Sequence, residues 1–578
     1  MFLKQMKQKN DRIKLAIYEC YRDGKVSRQR TVKPLGFYDE LIKEHPDPIA
    51  WGKQIAKEMT EEKNKEKQAV SIQIHPMQKI DMRSTNEKNL GSIIALTQYA
   101  ALGIKVALAN FIASKNSKAK YSLNAILRML VCERIVNPSS KLCAWINKDR
   151  YFFKSDFSKS DIYHALDDLA EAKGSIISAM NRKIAKAKIR DMSCVYYDVT
   201  NYYFEIDAED ELRKKGVSKE HRPNPIVQMG LLQDEKGIPI TYRLFSGNTS
   251  DCETMISILS DLKRDNKLDR IVVVADKGLN CSQNIAAAVA SGDGFVFSQS
   301  IRGTKSNSSI RKWVLDSKDY RNCKDGKIKS IQGYKTIHLK ADESDTGKPK
   351  NVDVEVKYVA KWSAKYKARA KYERDKAIKK AEKLIKNPSA YTHATCQGCA
   401  KYVKNLSFCK DTGEIADCCE LKLNQELIDK EAALDGYYLI VTSETDWSDK
   451  KINDAYHELW RIEETFKATK SELKTRPIFL RDIKHIEAHF LTCYIALVIL
   501  RLLQFATGLS VAKIKEEIAA MNCVNFDANW WVCGHRTKES DVLVDYLGLQ
   551  ELKRKNLRTI DIKKLLTKAY KEELPHIQ

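Results

Sequence analysis

The chain has 578 residues, 43% of them apolar, and a formal net charge of +24. At roughly 100–200 residues per domain, that length suggests about three or four domains, with enough apolar content for sizeable cores. The excess of Lys and Arg favours a polyanionic partner, most simply nucleic acid, over a protein whose lysines only solubilise its surface.

Residues 1–86 read as an N-terminal β/helical region. MFLKQMKQKNDR has no apolar core, so no secretory signal is expected. RIKLAIYECYR and KVSRQRTVKPLG are strands joined at Asp23-Gly24, a pair that favours a tight hairpin turn. The polar stretch 46–86 reads as a helix plus linker. Residues 87–190 show helical apolar spacing, broken at 114–118 and at Asn137-Pro138, and form a candidate DNA-binding domain.

At Met192 the pattern changes. SCVYYDVT, then two strands joined at Glu235-Lys-Gly237, then the helix ETMISILSDLKR, the buried strand RIVVVAD, the helix NIAAAVA and the strand GFVFSQS predict a mixed α/β layer over 191–299. Ser250 to Glu253 and Asn280 to Gln283 read as helix caps. Residues 300–434 read as an insertion with strand-like pieces and a basic helix over 361–386, which carries eleven Lys/Arg against three Asp/Glu. GYYLIVTSE resumes the core at 435–510 and is followed by helices over 449–474 and 482–507. Residues 511–578 read as a basic helical region. The apolar runs 93–104 and 490–500 stop at Lys105 and Arg501, short of the roughly 20 residues a membrane span needs, and read as core helices. With 15 cysteines and no expected signal, reduced thiols and a cytoplasmic location are expected, with no membrane partner.

Three acids occur in matching settings. Asp198 lies near the end of one strand and Asp276 ends another, and in α/β layers the carboxyl ends of strands are where ligands bind. In AYHELWRIEETFKATKSELK, Leu459, Ile462, Phe466, Thr469 and Leu473 form a core-facing stripe. A second stripe runs beside it through Tyr456, Trp460, Glu463, Lys467 and Lys470. Glu463 is therefore placed at the border of the apolar face with two lysines behind it. Three converging carboxylates need compensation. A pair of Mg²⁺ or Mn²⁺ ions, about 3.5–4 Å apart, would neutralise them and suit phosphoryl transfer, with the lysines holding a nucleic-acid backbone.

YYDVTNYYFE, GLLQDEKGIPITYRLFSGNTSD, IVVVADKGLNCSQNI, DGYYLIVTSE and YHELWRIEETFKATKSELKTRP together resemble the DDE transposases of bacterial insertion sequences, whose catalytic core is ribonuclease H-like. The resemblance covers about residues 10 to 505. It implies an α/β fold: a ribonuclease H-like mixed sheet flanked by helices, with an inserted β-rich/helical domain and an N-terminal helical domain. It implies Asp198, Asp276 and Glu463 as the catalytic, metal-binding triad, and DNA contacts from Tyr456 and Lys470, with Lys467 alongside. The family's Arg falls on Leu459, so Arg461 is the nearby candidate. A second departure is Asn224, where an acid is expected. The implied activity is cleavage at the ends of an element and joining to target DNA by a homodimer or higher multimer bound to terminal inverted repeats. The rival readings are a metal-dependent nuclease without strand transfer, a non-catalytic transposase-derived DNA-binding protein, and a basic structural or RNA-binding protein.

Other motifs are weaker. Cys396 and Cys399 have zinc-ligand spacing, but no second paired knuckle follows among Cys409, Cys418 and Cys419, which favours reduced thiols. His485 and His489 are spaced to share a metal, yet their face is largely apolar. Glu205 and Asp251 are candidates for a supporting role around the acids.

Overall fold

The computed structural model describes every residue except 9–10, 24–25, 66–76, 78–85, 116–119, 217–222, 267–268, 303–307, 341–347, 387–400, 406–420, 528, 571–573 and 575–578. The chain divides into two compact units, Met1–Ser84 and Thr85–Gln578.

In the first unit, β1 (Phe2–Lys7), β2 (Ile13–Asp23) and β3 (Val26–Phe37) form an antiparallel sheet with β2 at its centre. Leu15, Ala16 and Ile17 of β2 are all buried, so the central strand carries core on both faces. The strands flanking Asp23 form as expected, while the turn at 24–25 lies outside the described residues. Helices α1 (Tyr38–Leu41) and α2 (Pro48–Lys65) follow. Asp47 caps α2 by accepting from the N–H groups of Ile49 and Ala50. Pro48 fits the first helical position, where no N–H is needed.

The second unit begins with β4 (Glu87–Asn89) and five helices, α3 (Ser92–Ala101), α4 (Ile104–Lys115), α5 (Leu123–Val136), α6 (Lys141–Ile146) and α7 (Lys159–Lys186). A capping box between Ser158 and Asp161 starts α7. The central layer follows: β5 (Val195–Tyr203), β6 (Ile226–Asp234), β7 (Pro239–Ser246), α8 (Asp251–Asn266), β8 (Val272–Ala275), α9 (Ser282–Ala290) and β9 (Gly294–Gln299). Next come α10 (Ser308–Leu315), β10 (Arg321–Cys323), β11 (Gly326–Leu339), β12 (Lys350–Trp362), α11 (Ala364–Lys386), β13 (Val403–Asn405), β14 (Leu421–Leu423), α12 (Gln425–Ala433) and β15 (Tyr437–Thr442). Helices α13 (Asp449–His457), α14 (Trp460–Lys467) and α15 (Ile483–Thr507) complete this part.

Nine of these strands make one mixed sheet in the order β10-β11-β12-β15-β9-β8-β5-β6-β7. β5, β8 and β9 run parallel, and the other neighbouring pairs are antiparallel. The sheet is covered on both faces. Tyr196, Tyr202, Val272 and Val274 pack toward α7, α14 and α15. The alternate residues Val195, Tyr197, Val199 and Val273 pack toward α8 and α9. That two-residue alternation is the strand period expressed as two cores.

Several expectations need correcting. The insertion over 300–434 does not stand apart from the core sheet. β15 pairs on both edges, to β9 and to β12, so the long hairpin β11–β12 continues the core ladder. The basic helix begins at Ala364, because Lys361 and Trp362 belong to β12. Asn280 does not cap α9; its side-chain amide donates to the Ser298 carbonyl instead. The C-terminal region, α16 (Val511–Ala520), β16 (Asn522–Asp527), β17 (Trp530–Cys533), α17 (Lys538–Tyr546), β18 (Asn556–Arg558) and α18 (Thr559–Ala569), contains three strands besides its helices. They form an antiparallel sheet in the order β18-β17-β16-β4, completed by a strand from more than 400 residues earlier. Finally, α15 has 25 residues and is long and apolar enough to cross a membrane by length and composition. However, 78% of its most apolar window is buried within the protein, and it forms the spine of the main core. α3 and α4 pass the same test only as a pair, bent by 58°.

A buried ion pair ties α7 to the sheet. The Asp234 carboxylate, fully buried at the end of β6, accepts from Arg190 Nη1 at 3.0 Å and from the Ile238 N–H at 2.8 Å. Arg190 also donates to the Asn181 side chain on α7 at 2.5 Å. Breaking such a pair leaves an uncompensated buried charge, at a cost of roughly 3–5 kcal/mol. Arg190→Met should therefore lower the urea midpoint and the melting temperature by a corresponding amount, and the Arg190→Met/Asp234→Asn double variant should recover part of the loss. Equal melts for wild type and Arg190→Met would contradict this role.

Candidate active site

The register of three parallel strands assembles the site. β5 pairs with β8 as far as Tyr196 opposite Val274, so Asp198 and Asp276 each lie two residues beyond that last pair, on the same face of their strands. β8 pairs with β9 with Ala275 opposite Phe297, which sets Asp276 beside Ser298. All three residues fall on the face that carries Tyr196 and Val274, the face covered by α14 and α15. The Ser298 hydroxyl donates to Asp276 Oδ1 at 2.8 Å, as that register requires. β8 ends at Ala275, and Asp276 begins the short turn Lys277–Leu279, so its carboxylate leaves the sheet at an exposed rim. Asp198 is half-buried, and its Oδ1 accepts from the Val199 N–H at 2.7 Å.

α13 and α14 lie over this rim. Leu459, Ile462, Phe466, Thr469 and Leu473 are all buried, as their spacing predicts. Of the second stripe, Trp460, Glu463 and Lys467 are exposed, and Tyr456 and Lys470 are half-buried. Tyr456 provides the direct link, its hydroxyl donating to Asp276 Oδ1 at 3.3 Å. Burial, with the Asp276 charge adding to it, pushes the Tyr456 phenol well above its ordinary range, so it stays a proton donor. The Tyr438 ring lies 6.4 Å from that of Tyr456, and Tyr366 lies 5.8 Å beyond Tyr438. Three tyrosines thus connect the start of the basic helix α11 to Asp276.

The single helix expected over 449–474 is interrupted. A turn at Glu458 and Leu459 separates α13 from α14, and a π-helical turn, Ala468–Glu472, follows α14. Thr465 and Thr469 donate their hydroxyls back to the carbonyls of Arg461 and Phe466, which competes with the α-helical ladder. Thr469 also shares a 2.7 Å hydrogen bond with the hydroxyl of Tyr202, on the Asp198 strand. Lys470 Nζ stands 5.5 Å from the centre of the Tyr202 ring. Arg461 does not take the place of the missing family Arg. Its Nη1 donates to the Glu235 carbonyl at 3.0 Å and its Nε pairs with Glu458, which turns it toward the β6–β7 connection and away from the rim.

The donor set suits a hard divalent cation, since carboxylate oxygens are its preferred ligands. Among the described residues, neither Asp276 nor Glu463 forms an ion pair with a protein cation. The three carboxylates do not close into one tight cluster. Among the described residues, the group of acid and imidazole atoms lying all within 4.8 Å of one another is Asp167, Asp482 and His485. A two-ion site, with ions about 3.5–4 Å apart, spreads its acids around a wider perimeter than a single ion needs.

The other candidates resolve differently. His485 and His489 do not act as a pair. His485 sits with Asp167 and with Asp482, the cap of α15, whereas His489 is buried against the Thr475 carbonyl. Cys396, Cys399, Cys409, Cys418 and Cys419 lie outside the described residues. Glu205 is exposed. Asp251 faces the turn after Asp276, its Oδ2 lying 3.9 Å from where a Cβ on Gly278 would stand. Sequence reasoning missed Ser298, Tyr438 and Tyr366. Ser298 had a readable signal: it is the one hydroxyl in GFVFSQ that parallel pairing from Asp276 would reach.

A family model described as a transposase DDE domain matches residues 213–499, which includes Asp276 and Glu463 and begins after Asp198. A second, described as the N-terminal domain of IS1634 family transposases, matches residues 3–70, within the first unit. No curated protein matches the chain. One solved structure, a cryo-EM piggyBac transposase synaptic complex with hairpin DNA, aligns over 83% of this chain and 86% of its own at 7% identity, with a TM-score of 0.36. By the two matched domains, the chain belongs to the DDE transposases of insertion sequences and is a DNA transposase.

Proposed function

We propose that Asp198, Asp276 and Glu463 are the catalytic acids of this transposase and that they hold a pair of Mg²⁺ or Mn²⁺ ions. The observation that carries the reading is that Asp198, Asp276 and Ser298 fall on one face of the parallel strands, with Ser298 and Tyr456 of α13 hydrogen-bonded to Asp276. The sheet order supports a ribonuclease H-like core, since an antiparallel meander β7-β6-β5 is followed by β8 and β9 added parallel to β5. When bound, the ions supply positive charge that activates the attacking oxygen and stabilises the leaving one.

The chain's own residues do the rest. Ser298 and Tyr456 both donate to Asp276 Oδ1, which fixes that carboxylate's rotamer and leaves Oδ2 toward the rim. Glu463 is carried on the exposed side of α14, a helix whose buried stripe anchors it on the sheet. Lys467 and Lys470 lie one and two turns further along and hold the phosphate backbone of the terminal repeat. Hydrolysis of the phosphodiester at the element's end frees a 3′-hydroxyl. That hydroxyl then displaces an oxygen at a target phosphodiester, so one P–O bond forms for each broken. Each chain carries one such set of acids and an element has two ends, which favours a dimer or higher multimer on DNA.

Asp198→Asn, Asp276→Asn and Glu463→Gln should each lower terminal cleavage by about 10²–10⁴-fold while leaving binding to the terminal duplex intact, and chelation of divalent ions should do the same. Any one variant with wild-type cleavage removes that residue from the triad. A strand-transfer assay on pre-cleaved ends should yield joined product; cleavage without joining would indicate a nuclease. Tyr456→Phe keeps the ring and deletes the donor to Asp276, so cleavage should fall about tenfold and the Mg²⁺ concentration for half-maximal activity should rise. Unchanged metal dependence would contradict the orienting role.

A further inference from the structure

A second cationic site lies beyond the acids. A cleft of about 560 Å³ is bounded by the end of α5, the start of α6, the segment after the π-helical turn, and His489 of α15. Arg134, Lys141, Lys474 and Arg476 line it, and among the described residues no Asp or Glu does. Lys141 is only 6% exposed and Arg134 only 5%.

The hydrogen bonds leave these buried cations incompletely satisfied. His489 Nε2 lies 2.9 Å from the Thr475 carbonyl and must donate to it, so Nδ1 carries the lone pair that faces Lys141 Nζ at 3.5 Å. Among the described residues this is the one hydrogen-bond acceptor for the Lys141 ammonium, which has three hydrogens to place. Arg134 binds the carbonyls of Leu473, Lys474 and Ser139 through its terminal nitrogens, and its buried Nε has no partner among the described residues. Two buried cations beside a cleft without a carboxylate are costly to the fold unless an anion enters. Burial, and after it the Arg134 charge, pushes the Lys141 ammonium down to about 7, so an entering anion would restore its charge. The groups facing Lys141 are Arg134 on α5 and His489 and Cys493 on α15, and none of them is an acid.

The position of the cleft identifies the anion. Lys474 and Arg476 directly follow the proposed catalytic helix and Lys470. The Arg476 guanidinium stands 5.2 Å over the ring of Tyr203, which ends the strand that carries Asp198. From Asp198 to Tyr203 is five residues of strand, roughly 16 Å, a few nucleotides of DNA rise. Phe479 is 73% exposed at the rim. We propose that this cleft holds a backbone phosphate of the DNA end a few nucleotides from the cut, with Lys141 and Arg134 as its floor and Phe479 against the adjoining nucleotide.

The proposal rests on the transposase reading, and the test separates the two. Binding of the full chain to the element's terminal duplex is measured against salt for the wild type, Lys141→Met and Lys474→Asn; the latter is an exposed position at φ 43°, which Asn tolerates. Each variant should lose affinity and lower the slope of log affinity against log salt by about 1. Wild-type slopes in both variants would overturn the proposal, whereas normal cleavage by Asp276→Asn would instead overturn the active-site reading. If the slopes hold, but inorganic phosphate at constant ionic strength raises the melting temperature of the wild type and not of Lys141→Met, the cleft takes a free phosphate and the DNA assignment fails. If Lys141→Met does not fold, Lys474→Asn alone decides the outcome.

Discussion

The parallel pairing of β5, β8 and β9 is the constraint on which the site depends. Parallel strands place residues of equal register side by side, and here that register aligns Asp198, Asp276 and Ser298 on one face. A slip of one residue would send an acid to the opposite core, among Val199 and Val273, where an ionised carboxylate has no partner. The branched and aromatic residues below the rim resist such a slip, because Tyr196 and Val274 are buried on one face and Tyr197 and Val273 on the other.

The rest of the second unit holds a helix against that face. α15 is buried along most of its length and serves as the surface on which α7 and the sheet meet. The Tyr202 ring packs edge-on against Phe490 of α15 at 5.0 Å, and its hydroxyl reaches Thr469 in the π-helical turn. A tyrosine on the acid strand is therefore fixed by both neighbouring helical segments. Local irregularity accompanies this arrangement: the chain turns at Glu458, widens at 468–472 and takes a positive φ at Lys474. Such departures from regular helix are common where backbone geometry serves a site. The cationic cleft at Lys141 continues the same surface away from the acids.

What was legible in the sequence was local. The strands carrying Asp198 and Asp276, the two faces of the helix bearing Glu463, and the basic character of 364–386 follow from period, composition and short motifs. What was not legible depends on distant partners. Nothing in GYYLIVTSE says that β15 will pair on both sides and draw the β11–β12 hairpin into the core sheet. Nothing near Trp531 shows that β16 will pair with residues 87–89. Arg461 reads as a rim cation by proximity alone, yet the Glu235 carbonyl and Glu458 claim it. Asn280 reads as a cap, but the Ser298 carbonyl on the neighbouring strand is the better partner. In each case a long-range hydrogen bond outweighs a short-range preference.

The central claim is that Asp198 within β5 and Asp276 just past the end of β8, together with Glu463, share divalent ions. Anomalous diffraction from the protein bound to its terminal DNA in Mn²⁺ tests it most directly. The account predicts manganese about 2.0–2.2 Å from carboxylate oxygens of both Asp198 and Asp276, with Glu463 ligating the same pair of ions. Manganese bound only at Asp167, Asp482 and His485, with the rim of β5 and β8 empty, would contradict it.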